Sequence, residues 1–123
     1  MEYISTASAP AAIGPYSQAI VCGNTLYASG QIPINPETGA IEAGDIAGQT
    51  EQVCKNVGEV LKAAGMGFEN VVKTTCFLSD IGNFAAFNEV YAKYFVSKPA
   101  RSCVAVKDIP KGALCEIEIT AVR

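Results

Sequence analysis

Leu114-Cys115-Glu116-Ile117-Glu118-Ile119-Thr120-Ala121-Val122 alternates residue by residue, with Cys115, Ile117, Ile119 and Ala121 on one side and Glu116, Glu118 and Thr120 on the other. A period of two marks a strand that packs on a core through one face only. Upstream of it, across a loop containing Pro110-Lys111-Gly112, Arg101 to Val106 has strand character as well. There parity groups Arg101, Cys103 and Ala105 against Ser102, Val104 and Val106. The β-branched set reads as the core side, which leaves a guanidinium and a thiol on the face away from any helix. A charge in that position requires an anionic partner, because an unpaired buried charge is very costly. Either Glu116 or Glu118 supplies it, making Arg101 a structural ion pair, or a ligand does. The two glutamates have a second candidate partner in Lys73.

The rest of the chain completes a sheet with helices on one side. Ala7 to Pro15 is Ala- and Pro-rich and reads as an extended lead-in. Ser17 to Cys22 and Thr25 to Ser29 flank Gly23-Asn24, a hairpin signal, and Asn35-Pro36-Glu37-Thr38-Gly39 reads as a turn. Asp45 is placed to cap a helix whose Ile46, Thr50, Val53, Cys54, Val57, Val60, Leu61 and Ala64 share one stripe, with Gly65 at its end. Gln49, Glu51, Gln52, Lys55, Glu59 and Lys62 fill the polar remainder. Val71 to Leu78 is a third strand. Asp80 or Asn83 opens a second helix carrying Phe84, Phe87, Val90, Tyr91, Tyr94 and Phe95, with Asn88 beside the stripe. The order β-β-α-β-α-β-β predicts one α+β domain over residues 1–123, a sheet with both helices on a single face. The opposite face, holding Arg101, Cys103 and Glu116 or Glu118, is expected to meet another subunit.

The totals narrow the chemistry. Half of the 123 residues are apolar and 17% are charged, a globular composition, and the net charge of -3 argues against a general nucleic-acid binder. Without a single histidine, the chain has no Ser-His or Cys-His nucleophile and lacks the commonest metal ligand. The cysteines at 22, 54, 76, 103 and 115 stand singly, with no C-x-x-C pair to make a zinc or redox motif. The first residues show no signal-peptide pattern and no stretch reaches membrane-spanning length. A soluble, cytoplasmic protein is expected, with Cys22, Cys54, Cys76 and Cys115 as small apolar fillers.

Six stretches, in order, carry a family resemblance: Ala9-Pro10-Ala11-Ala12-Ile13-Gly14-Pro15-Tyr16-Ser17-Gln18-Ala19, Ser29-Gly30-Gln31-Ile32-Pro33, Val72-Lys73-Thr74-Thr75, Phe87-Asn88-Glu89-Val90-Tyr91, Pro99-Ala100-Arg101-Ser102-Cys103-Val104 and Glu116-Ile117-Glu118-Ile119-Thr120-Ala121-Val122. Together they resemble the RidA/YjgF reactive-intermediate deaminases, also called the endoribonuclease L-PSP family. The resemblance implies a chorismate-mutase-like fold assembled as a homotrimer with ligand sites between subunits. It also implies hydrolysis of 2-aminoacrylate/2-iminopropanoate and 2-iminobutanoate to 2-keto acids and ammonia, with no metal or organic cofactor. Members of the family have in addition been described as cleaving RNA or inhibiting translation, and some resemble ligand sensors without turnover.

By the same resemblance, Arg101 matches the clamp for the substrate carboxylate, a task suited to a planar guanidinium. Glu116 matches the acidic residue near the attacking water. Tyr16 matches a residue that hydrogen-bonds ligand or water, and Cys103, Ser29, Gly30 and Asn88 match pocket-wall positions. With no His or Lys written beside it, Cys103 is a wall rather than a nucleophile. Asn88 has a second reading as a helix–sheet hydrogen bond, and Gly30 answers a backbone requirement first. The sequence departs from the family pattern at Val96-Ser97-Lys98, which is short and puts lysine where an aromatic residue commonly precedes the proline. That change bears on substrate size.

Overall fold

The computed structural model describes residues 1–123, with strands β1 (Glu2–Ile4), β2 (Ala19–Cys22), β3 (Thr25–Ala28), β4 (Ile34–Asn35), β5 (Ala40–Ile41), β6 (Val71–Leu78), β7 (Ala100–Ala105) and β8 (Cys115–Val122). Helices α1 (Ile46–Ala63) and α2 (Phe84–Tyr94) complete the α+β fold. The main sheet runs β1-β2-β3-β8-β6-β7, and β4 pairs only with β5. All neighbours are antiparallel except β6 and β7, which α2 connects as a parallel pair. Strand β1 and the β4–β5 hairpin go beyond the expected order, and the turn at 35–39 closes that hairpin.

Local chemistry sets the ends of α1. The Asp45 carboxylate accepts the Gly48 amide at 2.8 Å, satisfying a free N–H of the first turn. Gly65 follows the helix at φ +72°, the left-handed position a side chain resists. Asp80 caps the short turn before α2 by accepting from Gly82, and Asn83 precedes the helix without a side-chain cap bond. No helix is long and apolar enough to cross a membrane.

The helices cover the face presented by Cys115, Ile117, Ile119 and Ala121, all buried as the alternation of β8 predicts. Val57, Leu61 and Phe87 meet that face from the helix side, in one core of 22 buried residues that also takes in Leu26 and Leu78. Each such large side chain contributes about 1.5–3 kcal/mol on burial. Gln49, expected on the polar side of α1, is buried instead. Its amide donates to the Ala43 carbonyl at 3.0 Å and its carbonyl accepts the Leu114 amide at 2.8 Å. Asn56 likewise donates to the carbonyls of Ile32 and Ile34, tying the β4 segment to α1. Cys54, Cys76 and Cys115 are buried fillers, but Cys22, at the end of β2, is exposed and fills nothing.

Register corrects the predicted orientation of β7. Arg101 lies opposite Thr74, and Cys103 opposite Cys76, in the parallel pair. In β8, Ile119 and Ile117 oppose the same two β6 residues. Residues in register share a face, so Arg101 and Cys103 lie on the helix side while Ser102 and Val104 turn to the uncovered side. Glu116 and Glu118, in register with Phe77 and Thr75, are on that uncovered side as well. The physical reason is the position of β7 at the sheet edge. Its helix-side residues sit at the rim of the core, where an arginine stem can lie against aromatic rings and keep its head accessible.

Candidate functional site

The first group of predicted site residues gathers between α2 and β7. Phe84, Asn88 and Tyr91 are spaced four and three apart, so they line one face of α2. That face receives Arg101. Its guanidinium carbon lies 4.8 Å from the centre of the Tyr91 ring and 5.5 Å from that of Phe84. Its Nη1 donates to Asn88 Oδ1 at 2.7 Å. Neutral Asn88 is thus its side-chain hydrogen-bond partner, and the ion pair with Glu116 or Glu118 is excluded within one chain because both glutamates occupy the other face.

Beside Arg101 opens a cavity of about 550 Å³ lined by Asn88, Tyr91, Phe95, Lys98 and Pro99. Lys98, the residue that departs from the family pattern, stands at its wall with φ +50°. A residue before proline normally stays extended, so this left-handed turn stores about 1–3 kcal/mol of strain. Its amide donates to the Phe95 carbonyl at 3.1 Å, which holds the turn. Cys103 is the next residue on the same face and is half-buried. Burial pushes its thiol above the ordinary range, and the pull of Arg101 in the opposite direction does not reverse this. A thiol held protonated in this way is a poor nucleophile.

The second group lies on the opposite face. Gln31 exchanges backbone hydrogen bonds with Ile117, at 2.8 and 3.1 Å, which fastens the segment after β3 alongside β8. This brings Gly30 against the Glu116 carboxylate so closely that a Cβ at Gly30 would lie 2.1 Å from Glu116 Oε2. Glycine leaves the room for the carboxylate to approach the backbone this closely. Burial, with the Glu118 charge adding to it, raises the Glu116 carboxyl above the usual range. Ser29 donates its hydroxyl to the Ser17 carbonyl at 2.6 Å, and Tyr16 is 53% exposed on the adjoining loop. Tyr16, Ser29, Gly30, Pro110 and Glu116 line a cavity of about 430 Å³.

Three residues to which the sequence assigns no site role shape these groups. Phe84 and Tyr91 supply rings to the guanidinium, and the 84/88/91 spacing is the available signal. Buried Gln18 organises the lead-in that carries Tyr16. Its side chain accepts the Thr6 amide at 2.7 Å and donates to the carbonyls of Thr6 and Pro10 at 3.0 and 2.8 Å. Nothing local in the sequence marks that role. No cluster of three or more His, Cys, Asp or Glu side chains is arranged to hold a metal ion.

Arg101, Asn88 and Cys103 therefore come together, and so do Tyr16, Ser29, Gly30 and Glu116, but one chain does not bring the two groups into one pocket. Comparison with known proteins adds to this geometry. Residues 6–123 match the family described as endoribonuclease L-PSP. Human 2-iminobutanoate/2-iminopropanoate deaminase is 51% identical over 121 residues, covering 98% of this chain and 88% of the human protein. The Yersinia pestis protein YyfA, described as of the conserved Rid protein family, superposes with a TM-score of 0.96 at 52% identity, covering 99% of this chain and 98% of that one. E. coli TdcF with bound serine superposes at 0.95 with 42% identity, covering 100% and 99%.

Proposed function

The chain belongs to the endoribonuclease L-PSP family, the RidA/YjgF proteins, and from that premise we propose that Arg101 and Glu116 serve the hydrolysis of 2-imino acids to 2-keto acids and ammonia. The observation that carries the proposal is the arginine itself. Its guanidinium is held by two rings and a neutral amide, while Glu116 and Glu118 lie on the other face of the sheet. Such a group is prepared for an anion from outside, and a planar carboxylate fits its fork.

The chemistry follows from what each group offers. With the carboxylate anchored, the protonated imine carbon is already electrophilic, so catalysis consists of placing a water against it. The water oxygen bonds to that carbon while one of its protons passes to the Glu116 carboxylate. Returned to nitrogen, the proton makes ammonia the leaving group, and the carbonyl of the keto acid forms as the C–N bond breaks and the hydroxyl proton passes to the freed Glu116 carboxylate. A carboxyl whose pKa is raised suits this exchange, because it takes up a proton more readily than an exposed glutamate. An enamine substrate such as 2-aminoacrylate gains a proton at its terminal carbon before entering the same sequence. Neither step calls on histidine, a metal or an organic cofactor.

Because Arg101 and Glu116 occupy opposite faces of one sheet, the working site joins the arginine group of one subunit to the glutamate group of the next. A homotrimer with three such sites provides that arrangement. The five unpaired cysteines fit a cytoplasmic setting. The net charge of -3 and the absence of histidine leave RNA cleavage without its usual basic track and general base.

The test is a continuous assay in which a pyridoxal-phosphate enzyme generates 2-iminobutanoate and keto-acid release is followed. Arg101→Ala abolishes the acceleration while the oligomer remains intact, and undiminished release by that variant overturns the assignment. Ligand-dependent melting shifts without turnover by the wild type identify a sensor instead. Unfolding Arg101→Ala with Glu116→Gln and refolding them together in equal amounts restores about a quarter of the sites, because each site draws the two residues from different subunits.

A further inference from the structure

We infer that Phe84 and Tyr91 are positioning residues for the reaction, forming an aromatic seat that fixes the plane of the Arg101 guanidinium. This rests on the reading of Arg101 as the carboxylate clamp. The seat is built from both sides of the helix–sheet interface. On the sheet, Thr74 is fully buried and lies in register beside Arg101. Its hydroxyl is 2.8 Å from the Tyr91 hydroxyl, a buried pair that locks the phenol at its far end. The Tyr91 ring also stacks on Phe95 with centroids 4.2 Å apart and planes within 18°, so its tilt has little freedom. Phe84, about two turns earlier on α2, supplies the second ring at the open rim, where it is 36% exposed.

What the seat does follows from guanidinium geometry. Rings attract the flat face of the cation through their quadrupole, and a carboxylate binds along its edge, in the plane of the N–H bonds. Asn88 occupies one N–H at that edge and leaves others free. The rings thus remove the rotational freedom an arginine at a sheet edge would otherwise keep, and direct its free edge toward the incoming carboxylate. Most of that gain is common to bound substrate and transition state, so its loss appears mainly in KM.

The experiment measures kcat and KM for 2-iminobutanoate in Phe84→Leu, Tyr91→Phe and Tyr91→Leu, each with Arg101 and with Arg101→Lys. Phe84→Leu, at an exposed rim, raises KM about fivefold, Tyr91→Leu about tenfold and Tyr91→Phe about twofold, with kcat within about twofold of wild type. An ammonium has no plane to orient, so in the Arg101→Lys background the same substitutions change kcat/KM by less than about twofold. Ring substitutions that lower the melting temperature and leave KM unchanged reduce the seat to a packing feature, and effects that multiply fully with Arg101→Lys overturn it too. If Tyr91→Leu does not fold, Phe84→Leu decides the matter alone. Full activity in Arg101→Ala, by contrast, defeats the underlying clamp, and the seat falls with it.

Discussion

Substituting Gly30 by alanine tests whether the placement of Glu116 matters for the reaction. The added Cβ would stand 2.1 Å from Oε2 of Glu116, 2.8 Å from Cδ and 3.1 Å from Cγ. Moving the oxygen out to 3.0 Å, the shortest distance real Cβ atoms tolerate, displaces it by about 0.9 Å. The backbone at Gly30 does not occupy the left-handed region, so alanine fits its dihedral angles and the side chain of Glu116 must give way. Turning that carboxylate off its preferred rotamer costs about 0.5–1.5 kcal/mol, a modest loss of stability. In a domain of this size that lowers the melting temperature by roughly 2–8 °C. Catalysis is far more sensitive, since a misplacement of about 1 Å at a reacting group can cost about 100-fold. In the coupled assay with enzymatically generated 2-iminobutanoate, Gly30→Ala therefore loses about 100-fold in kcat/KM while remaining folded. Activity within twofold of wild type refutes the reasoning, because Glu116 would then work as well in a displaced position. A fall of well over 10 °C refutes it differently, by showing that the backbone and not the carboxylate had moved.

Three further outcomes follow from the same structure. Cys103→Ala keeps kcat within about fivefold, because a thiol whose pKa burial has raised forms the wall and not the nucleophile; complete loss of turnover with the fold intact would restore it as a nucleophile. Glu116→Gln raises the melting temperature at neutral pH. A carboxyl whose folded pKa lies above its unfolded value contributes stability below the unfolded pKa and loses it as pH rises through the folded one. The difference between variant and wild type accordingly closes as pH falls below the ordinary glutamate range of about 4.3, and a gap that widens there contradicts the raised pKa. Gln18→Ala removes a buried side chain with three short bonds to the lead-in and destabilises the protein by about 2–3 kcal/mol. Limited proteolysis then cuts first within residues 5–16, and uniform cleavage along the chain is the contrary result.

The features legible in the sequence were those decided by near neighbours. Asp45 and Gly65 mark the ends of α1 because a cap and a left-handed residue act within one turn. Cys115, Ile117, Ile119 and Ala121 declare their common face by alternation alone. Parity in β7 correctly paired Arg101 with Cys103, but parity cannot say which set faces the helices. That choice depends on register with Thr74 and on rings brought over from α2. Gln49 and Asn56 look like solvent-facing residues of an amphipathic helix until Leu114 and the carbonyls of Ala43, Ile32 and Ile34 are folded against them. Strand β1 is three residues long and has no turn signal joining it to β2, so only the pairing reveals it. The clamp arginine was visible as a charge in need of a partner, and the resemblance supplied the partner's chemistry. The close approach of Gly30 to Glu116 joins distant segments, and no local pattern encodes it.

The uncovered face of the sheet has a consequence for how the protein behaves when scarce. Tyr3, Ile20 and Tyr27 stand in register across β1, β2 and β3 on that side, and Phe77 and Val104 continue it across β6 and β7. Tyr3, Tyr27 and Val104 are 64%, 57% and 45% exposed in the single chain. If the proposed assembly covers them, folding and association are linked by mass action, and the melting temperature rises with protein concentration. Dilution would then act twice, separating Arg101 from the Glu116 of its neighbour and returning apolar surface to water. Turnover per subunit and thermal stability would decline over the same concentration range, so that the amount of protein in the cell becomes a control on its activity.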